Sequence, residues 1–376
     1  MNKAIKSALI IGGGFSGMSA AIELRKRGID VEVVELDPEW SPLGTGITLS
    51  PPTLRALEVI GVADEVGKYG FCAPNLDIRS HDGHPIAQIP TPTPANSNQT
   101  GAGILRPDLA KILAKATRES GTRVRLGVTY KDITHSDQSV KVSFTDGTEG
   151  EFDLVIGADG LHSKLRDLLF PGHTPPSYTK QACWRAVLNR PKTIERPTFW
   201  IGPVGKIGAN PISEDKMYMF INEYRESDDY VDPSQWRSMM IDLIQKFPAP
   251  ELQEALAEFD GDIDVDFRPL YNLLLPRPWH KSRVVLIGDA VHATTPHLAS
   301  GAGIGIESAI VLAEELGKEQ SVDDALQHFE DRRWERCRLV VENSARLVEI
   351  ENAHGDKSEH SKVVSESMGK LANALD

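Results

Sequence analysis

The residues of this chain best placed to do chemistry are three glycine-bearing turns, two of them carrying an acid, together with a few histidine, tyrosine and arginine side chains further on. The first turn lies in ALIIGGGFSG, where Gly12, Gly14 and Gly17 have the spacing G-x-G-x-x-G, after the apolar run Ala8 to Ile11 and before a helix-patterned run from Met18 to Arg27. That arrangement suits a pyrophosphate. Gly12 permits a tight turn, Gly14 lets backbone N–H groups approach phosphate oxygens, and Gly17 lets the helix sit close on the strand. Phe15 and Ser16 stand within the motif, where the helix N-terminus supplies unpaired N–H donors and the positive end of its dipole. Glu35 closes the alternating run VEVVE, roughly 20 residues beyond the glycines, where a ribose hydroxyl would lie. A carboxylate there favours a 2′-hydroxyl over a 2′-phosphate, because two anions repel. The expected guest is the adenosine half of FAD or NAD.

The second turn, Gly157-Ala158-Asp159-Gly160, follows the buried run Leu154 to Ile156, and the third, Gly288-Asp289-Ala290, follows Arg283 to Ile287. Ligands of a doubly wound sheet collect outside the carboxyl ends of its strands, so one sheet would bring all three turns to one crevice. A further glycine-rich turn, Ser300 to Gly305, precedes a helix predicted for Ile306 to Leu316. Only one G-x-G-x-x-G is present, so a second nucleotide would bind without a domain of its own. Cys72, Cys183 and Cys337 form neither C-x-x-C nor a zinc-ligand spacing, which argues against a disulfide reductase and predicts no metal centre.

The elements that position these turns read as α/β. Strands are predicted for Ala8 to Ile11, Val31 to Glu35, Arg123 to Val128, Leu154 to Ile156 and Arg283 to Ile287, with a hairpin from Val140 to Phe152 turning at Asp146-Gly147. Helices are predicted for Thr53 to Ile60, from Pro107 with Leu109, Ile112, Leu113 and Ala116 on one face, and for Val322 to Glu351. The segment Leu43 to Pro52 reads as a loop or short strand, and Pro90 to Pro94 as an extended surface loop. Between Gln181 and Phe267 the pattern changes to a second lobe, with strands at Phe199 to Ile201, Ile207 to Ile212 and Met217 to Ile221, and helical runs at Trp236 to Phe247 and Leu252 to Phe259. The polar tail from Asp356 is expected to be mobile. The net charge of −13 argues against nucleic acid and anionic membranes as partners. The apolar run before the glycines is only about five residues, far short of the roughly 20 that span a bilayer, and the reduced-looking cysteines point to a cytoplasmic location.

Taken together, G-x-G-x-x-G at Gly12 to Gly17, Gly157-Ala158-Asp159-Gly160, and Gly288-Asp289-Ala290 followed by His292, Pro296 and Gly301 resemble the dinucleotide, DG and GD motifs of the class A FAD-dependent aromatic hydroxylases. This is the flavoprotein monooxygenase group that contains salicylate hydroxylase and 6-hydroxynicotinate 3-monooxygenase, and the resemblance runs from about Ala8 to Ile350. It implies a Rossmann-like FAD-binding domain from residues 1–71, 104–178 and 276–320, an inserted α+β substrate domain from 72–103 and 179–275, and C-terminal helices over 321–376. It gives Glu35 the adenosine ribose, Arg106 a place beside the pyrophosphate and ribitol, and Asp289 a hydrogen bond to the ribitol. Gly301, Ala302 and Gly303 would offer N–H groups to the flavin edge that turns anionic on reduction. Asp159 would tie the DG loop to the nicotinamide route, and Gly46, Thr48, Val128, Gly288 and Pro296 complete the cofactor contacts.

The reaction the resemblance implies consumes NADH or NADPH as a transient co-substrate and O2, and hydroxylates a small aromatic substrate through a flavin C4a-hydroperoxide. His297 is the candidate for taking a ring proton near neutral pH, and Tyr218 for contacting the substrate. Trp184 and Arg185 would wall the pocket or bind a carboxylate, with Pro296 beside them. An aromatic or N-heteroaromatic acid or phenol is the leading expectation for the ring, and a monomer or homodimer for the assembly. Thr48 stands where 6-hydroxynicotinate-type enzymes carry histidine, and Ser308 replaces a frequent acid after Glu307, so that particular substrate is not implied. Two other readings share these residues: a flavin-dependent oxidoreductase that inserts no oxygen, and a non-catalytic binding module on the same fold.

Overall fold

The computed structural model describes residues 5–41, 44–95, 97, 99–202, 205–318 and 321–375. Its centre is a six-stranded sheet whose strands run in the order His280–Lys281, Val284–Leu286, Leu154–Gly157, Ser7–Ile11, Asp30–Glu35 and Arg123–Leu126. All but the first pair are parallel, with Ile11 beside Gly157 and beside Val34, and Gly157 beside Leu286. These registers align the carboxyl ends of three strands from distant parts of the chain. The Val284–Leu286, Leu154–Gly157 and Ser7–Ile11 strands are apolar runs because helices and the three-stranded sheet of Tyr130–His135, Val140–Phe144 and Glu149–Phe152 cover them; Ala8, Leu9 and Ile10 are fully buried.

The Phe15–Lys26 helix packs against the Gly301–Leu316 helix, and the glycine turn between strand and helix is as tight as the spacing requires. Gly12 adopts φ +106°, and a Cβ on Gly17 would stand 2.0 Å from the Gly12 carbonyl oxygen. Glycine there is a steric necessity.

The second lobe is a seven-stranded sheet in the order Val265–Asn272, Ser177–Asn189, Lys216–Tyr224, Gly205–Pro211, Thr198–Gly202, Leu76–Ser80 and Pro85–Ile89. Its two faces differ in kind. Trp184, Ala186, Ile207, Met219 and Ile221 turn to the Pro233–Ile244 and Pro250–Ala257 helices and form a closed apolar core. Their neighbours along each strand turn to the first lobe. A small sheet of Gly46–Leu49, Ala102–Leu105 and Phe71–Cys72 lies between the lobes, so the segment read as a loop or short strand is a strand from Gly46; Leu43 lies outside the described residues.

Two expectations are corrected here. The glycine-rich stretch Ser300 to Gly305 is not a turn ahead of a helix, because the helix already begins at Gly301. Glycine costs about 1 kcal/mol per helical position relative to alanine, but it is kept where neighbours leave no room: a Cβ on Gly303 would lie 2.3 Å from Thr53 Oγ1, and one on Gly305 2.4 Å from Ser16 Oγ. The tail from Asp356 is not mobile but forms the Lys357–Leu371 helix, started by an Asp356 cap on the Ser358 N–H and ended by a buried Leu371.

What holds that tail is charge from far away in sequence. Arg55 donates to the carbonyls of Ala372 at 3.0 Å and Asn373 at 2.8 Å, Arg336 donates to Leu371 at 2.7 Å, and both arginines share the buried carboxylate of Glu307 with Arg333. Arg55→Ala removes one donor from each of these carbonyls, of which Ala372 keeps the N–H of Ala95 at 2.7 Å, while leaving Glu307 its other two partners. The expected loss is about 1–3 kcal/mol in urea unfolding, together with faster limited proteolysis near residue 355. Unchanged protection of the tail in that variant would mean Arg55 does not anchor it.

Candidate active site

The glycine turn and its acid form one unit. The Gly13 N–H donates to Glu35 Oε2 at 2.7 Å, the Asp37 N–H donates to Oε1 at 2.8 Å, and Trp40 Nε1 donates to the Gly13 carbonyl at 2.8 Å. The half-buried Glu35 carboxylate is therefore locked beside the turn with lone pairs left over for a further donor. Gly14 caps the 12-residue Phe15–Lys26 helix, is exposed, and has open space where a Cβ would stand. The first N–H groups of that helix have no intrahelical partner and face that space. Val128 is buried and donates its N–H to the Glu35 carbonyl at 3.1 Å, so it supports the acid from behind.

Deeper between the lobes, the Arg106 guanidinium lies over Phe15, 4.8 Å from the ring centroid. Burial pulls Arg106 down from its ordinary value, with the negative charge of Asp289 opposing. Asp289 keeps an exposed surface at the start of the short Asp289–His292 helix, just beyond the end of the Val284–Leu286 strand. Burial pushes that carboxyl up, against the pull of His292 and Arg106. Pro296 is exposed, and Gly301 and Ala302 are half-buried at the start of their 16-residue helix. Gly288 bends the chain with φ +64° against Ser16. Asp159 is mainly a capping residue, since its Oδ2 accepts from the Leu165 N–H at 3.2 Å, but its Oδ1 is buried without a partner.

The cleft face of the second lobe brings Tyr218 and Arg185 together and leaves Trp184 out. Arg185 Nε donates to Tyr218 Oη at 3.1 Å and lies 3.6 Å from Asp266. Burial raises the Tyr218 phenol to about 12, against the pull of Arg185, so it is a neutral donor near pH 7. Trp184 does not wall the pocket. Side chains alternate along a strand, so the residue before Arg185 points into the helix-covered core, where Trp184 stacks on Phe267 at 4.3 Å and donates to Glu223. Gly46 and Thr48 meet this lobe: a Cβ on Gly46 would stand 2.4 Å from Tyr218 Cγ, and Thr48 Oγ1 is paired with Asn210 Nδ2.

His297 has both ring nitrogens engaged by protein. Nδ1 meets Thr295 Oγ1 at 2.9 Å, and Nε2 meets Glu351 Oε2 at 3.1 Å and Asn222 Nδ2 at 3.4 Å. Glu351 also accepts from Lys206 at 2.9 Å and meets His360 Nε2 at 3.0 Å. Sequence reasoning missed Glu351, Lys206, Asn210, Phe220, Asn222 and Asp266. The strand residues carried a readable signal, because in KMYMFINEY the phase of Tyr218, Phe220 and Asn222 opposes the apolar phase of Met217, Met219 and Ile221. Nothing near Glu351 marked it.

A family model described as an FAD binding domain matches residues 6–344 of the chain. The chain belongs to this FAD-binding family. It is 31% identical over 316 residues to 2-heptyl-3-hydroxy-4(1H)-quinolone synthase of Pseudomonas aeruginosa, covering 82% of this chain and 80% of the relative. It is 30% identical over 353 residues to 3-amino-4-hydroxybenzoate 2-monooxygenase of Streptomyces cremeus, covering 90% and 86%. Among solved structures, Klebsiella pneumoniae HpxO in complex with FAD and uric acid superposes with a TM-score of 0.79 at 23% identity, covering 97% of this chain and 92% of that one, which shows a shared fold. The protein is a flavoprotein monooxygenase of aromatic compounds, with FAD as cofactor and NAD(P)H as reductant. The residues fit that cofactor: open space over Gly14, a half-buried guanidinium at Arg106 over the Phe15 ring, and the exposed carboxylate of Asp289 within electrostatic reach of Arg106. Among the described residues no group of acids, histidines and cysteines could hold a metal ion, and no helix is long and apolar enough to cross a membrane.

The His297 cluster makes stability depend on pH in a stated direction. Burial lowers the His297 pKa although Glu351 pulls it back, with Lys206 and His360 nearby, so the native imidazole resists a proton that the unfolded chain accepts around the ordinary value of 6.5. Its contribution is therefore present above that value and lost as pH falls below it. In thermal melts between pH 7.5 and 5.5, the wild type is expected to lose stability on the acid side, at about 1.4 kcal/mol for each unit between the two pKa values. His297→Asn should flatten that slope. An equal slope in both proteins would refute the assignment.

Proposed function

We propose that this chain hydroxylates an electron-rich aromatic or N-heteroaromatic ring held between the three glycine turns and the Tyr218 face of the second-lobe sheet, with NAD(P)H and O2 as co-substrates. The observation that carries the reading is the register that sets Ile11, Gly157 and Leu286 side by side, because it brings the turns after those strands to one cleft opposite Tyr218 and Arg185. One related enzyme is named for the hydroxyquinolone it forms and the other for the aminohydroxybenzoate it oxygenates, which supports a substituted ring as substrate.

In this reading the N–H groups of Gly14, Phe15 and Ser16 receive the FAD pyrophosphate and Glu35 receives the adenosine ribose. Arg106 stands beside the pyrophosphate and ribitol, Asp289 accepts from a ribitol hydroxyl, and the N–H groups of Gly301 to Gly303 face the flavin edge. Bound FAD supplies hydride acceptance and the activation of O2. The protein orients the ring and excludes water: Tyr218 donates a hydrogen bond from its neutral phenol, and the Phe199, Phe220 and Tyr218 rings pack in succession to offer it an apolar face. His297 takes part in proton movement through its neighbours. With the neutral ring accepting at Nδ1 from Thr295 and donating from Nε2 to the ionised Glu351, a proton taken up at Nδ1 would leave an imidazolium held by the Glu351 carboxylate. A cytoplasmic location and a monomer or homodimer belong to the same reading, supported by the acidic charge and by three cysteines without a disulfide.

Two measurements test this. Purified protein should be yellow, and a ring that stimulates NAD(P)H oxidation should yield a product carrying one oxygen from 18O2; stimulated oxidation with unlabelled product would instead make the protein an oxidoreductase without oxygen insertion. Asp289→Ala should weaken FAD retention by about ten- to a hundredfold, the worth of roughly 1.5–3 kcal/mol for a charged acceptor. Wild-type flavin affinity in that variant would move the ribitol site elsewhere.

A further inference from the structure

The loop that follows Glu35 folds back to the first glycine turn and brings one large side chain to it. Asp37 builds this loop: its Oδ1 accepts from the Glu39 N–H at 3.0 Å, its Oδ2 from the Ser41 N–H at 2.7 Å, and its carbonyl from the Trp40 N–H at 3.3 Å. Trp40 stands there in the left-handed region at φ +49°, a conformation that is costly for a bulky residue and persists only where the surroundings hold it. Three contacts do so. The indole Nε1 donates to the Gly13 carbonyl at 2.8 Å, the ring fills the place where a Gly13 Cβ would stand, 2.5 Å from Nε1, and the guanidinium of the exposed Arg118 lies over the ring at 5.1 Å from its centroid.

Glu35 and Trp40 between them fix which way two successive peptide units face. A trans peptide is planar, so its C=O and N–H point in opposite directions. In the Gly12–Gly13 unit the N–H is turned to Glu35 at 2.7 Å, and the Gly12 carbonyl accordingly lies on the far side, where a Cβ on Gly17 would stand 2.0 Å from its oxygen. In the Gly13–Gly14 unit the indole holds the carbonyl, so the Gly14 N–H faces away from Trp40; Gly14 itself is exposed, with open space where a Cβ would stand. Both residues of this unit are glycine, which enters either half of φ space with little steric resistance. Released from the indole, the unit can turn over and present the Gly13 carbonyl, an acceptor, where an anion needs a donor.

We infer that Trp40 is a positioning residue for the cofactor diphosphate: its indole N–H latches the Gly13 carbonyl and thereby aims the Gly14 N–H at a phosphate oxygen. This rests on the reading above in which Gly14, Phe15 and Ser16 receive the pyrophosphate. It gives the loop after Glu35 a task of its own, separate from the adenosine ribose that Glu35 receives.

Equilibrium binding to the full-length protein stripped of flavin tests it, with FAD, ADP and adenosine as probes, because ADP carries the diphosphate and adenosine does not. Trp40→Phe keeps a ring beside Gly13 and removes the N–H. It is expected to weaken FAD and ADP by about ten- to a hundredfold, the worth of one hydrogen bond to a charged group, and to leave adenosine within about twofold. A role confined to the shape of the loop would weaken adenosine in step with ADP; that result, or wild-type affinity for ADP, overturns the inference. Should the phenylalanine variant fail to fold, or adenosine bind too weakly to measure, 3-benzothienylalanine in place of Trp40 decides by its ADP affinity, since it keeps the shape of the indole with sulfur where the N–H was. Gly14→Asp separates the latch from the reading beneath it. The backbone there, at φ −73° and ψ −178°, is an N-cap position that aspartate fills well, and the open space admits its side chain, so the variant sets a carboxylate beside the diphosphate. Loss of ADP in Gly14→Asp with none in Trp40→Phe would sink only the latch. Wild-type ADP affinity in Gly14→Asp would place the diphosphate elsewhere and sink the reading itself.

Discussion

The structure depends on one constraint, the parallel alignment of three strands that are far apart in the chain. Ile11, Gly157 and Leu286 sit side by side, and each strand then breaks into a glycine-bearing turn at the same edge of the sheet. A parallel sheet needs cover on both faces, and the helices that supply it start at that edge. The Phe15–Lys26 and Gly301–Leu316 helices therefore place their N-termini, with unpaired N–H groups, beside the turns. A one-residue slip in any of the three registers would turn buried side chains outward and carry the attached turn away from the cleft.

Buried charge holds the rest of the chain to that sheet. Glu307 is almost fully enclosed and is shared by Arg55, Arg333 and Arg336, which lowers its pKa although burial alone would raise it. A carboxylate taken out of water is tolerated only when so compensated. The same cluster joins four segments: the Pro51–Ile60 helix, the helix after the third turn, the long Val322–Asn352 helix and the C-terminal tail. Glu351 does the corresponding work at the other end of the long helix. It binds Lys206 of the second-lobe sheet, His297 of the short Pro296–Leu298 helix and His360 of the last helix, so the two lobes meet through a polar knot.

The second-lobe sheet shows how one strand can present two different faces. Its helix-covered face is closed by Trp184, Ile207, Met219 and Ile221, while the alternate residues form a face of rings, amides and paired charges turned to the first lobe. The two faces are separated by the two-residue period of the strand. Packing on the helix face fixes the backbone, and the fixed backbone gives the cleft face its geometry.

The sequence by itself determined the parts whose physics is local. The tight turn at Gly12 to Gly17, the acid at Glu35, the buried strands and the amphipathic helix after Pro107 follow from spacing, sterics and periodicity within short stretches, and the order of the three glycine turns carried the family resemblance. Tertiary structure decided what depends on partners distant in sequence. Trp184 and Arg185 are adjacent in the chain, and only the covering helices settle which of the two faces the cleft. The tail looked too polar to fold because its anchor, Arg55, lies 316 residues from Leu371. His297 stood out as a lone titratable residue, but Glu351, Thr295 and Asn222 arrive from other elements to occupy its nitrogens. Whether a polar group is partnered is a property of the assembled structure, since hydrogen-bond satisfaction is counted over all neighbours in space and not along the chain.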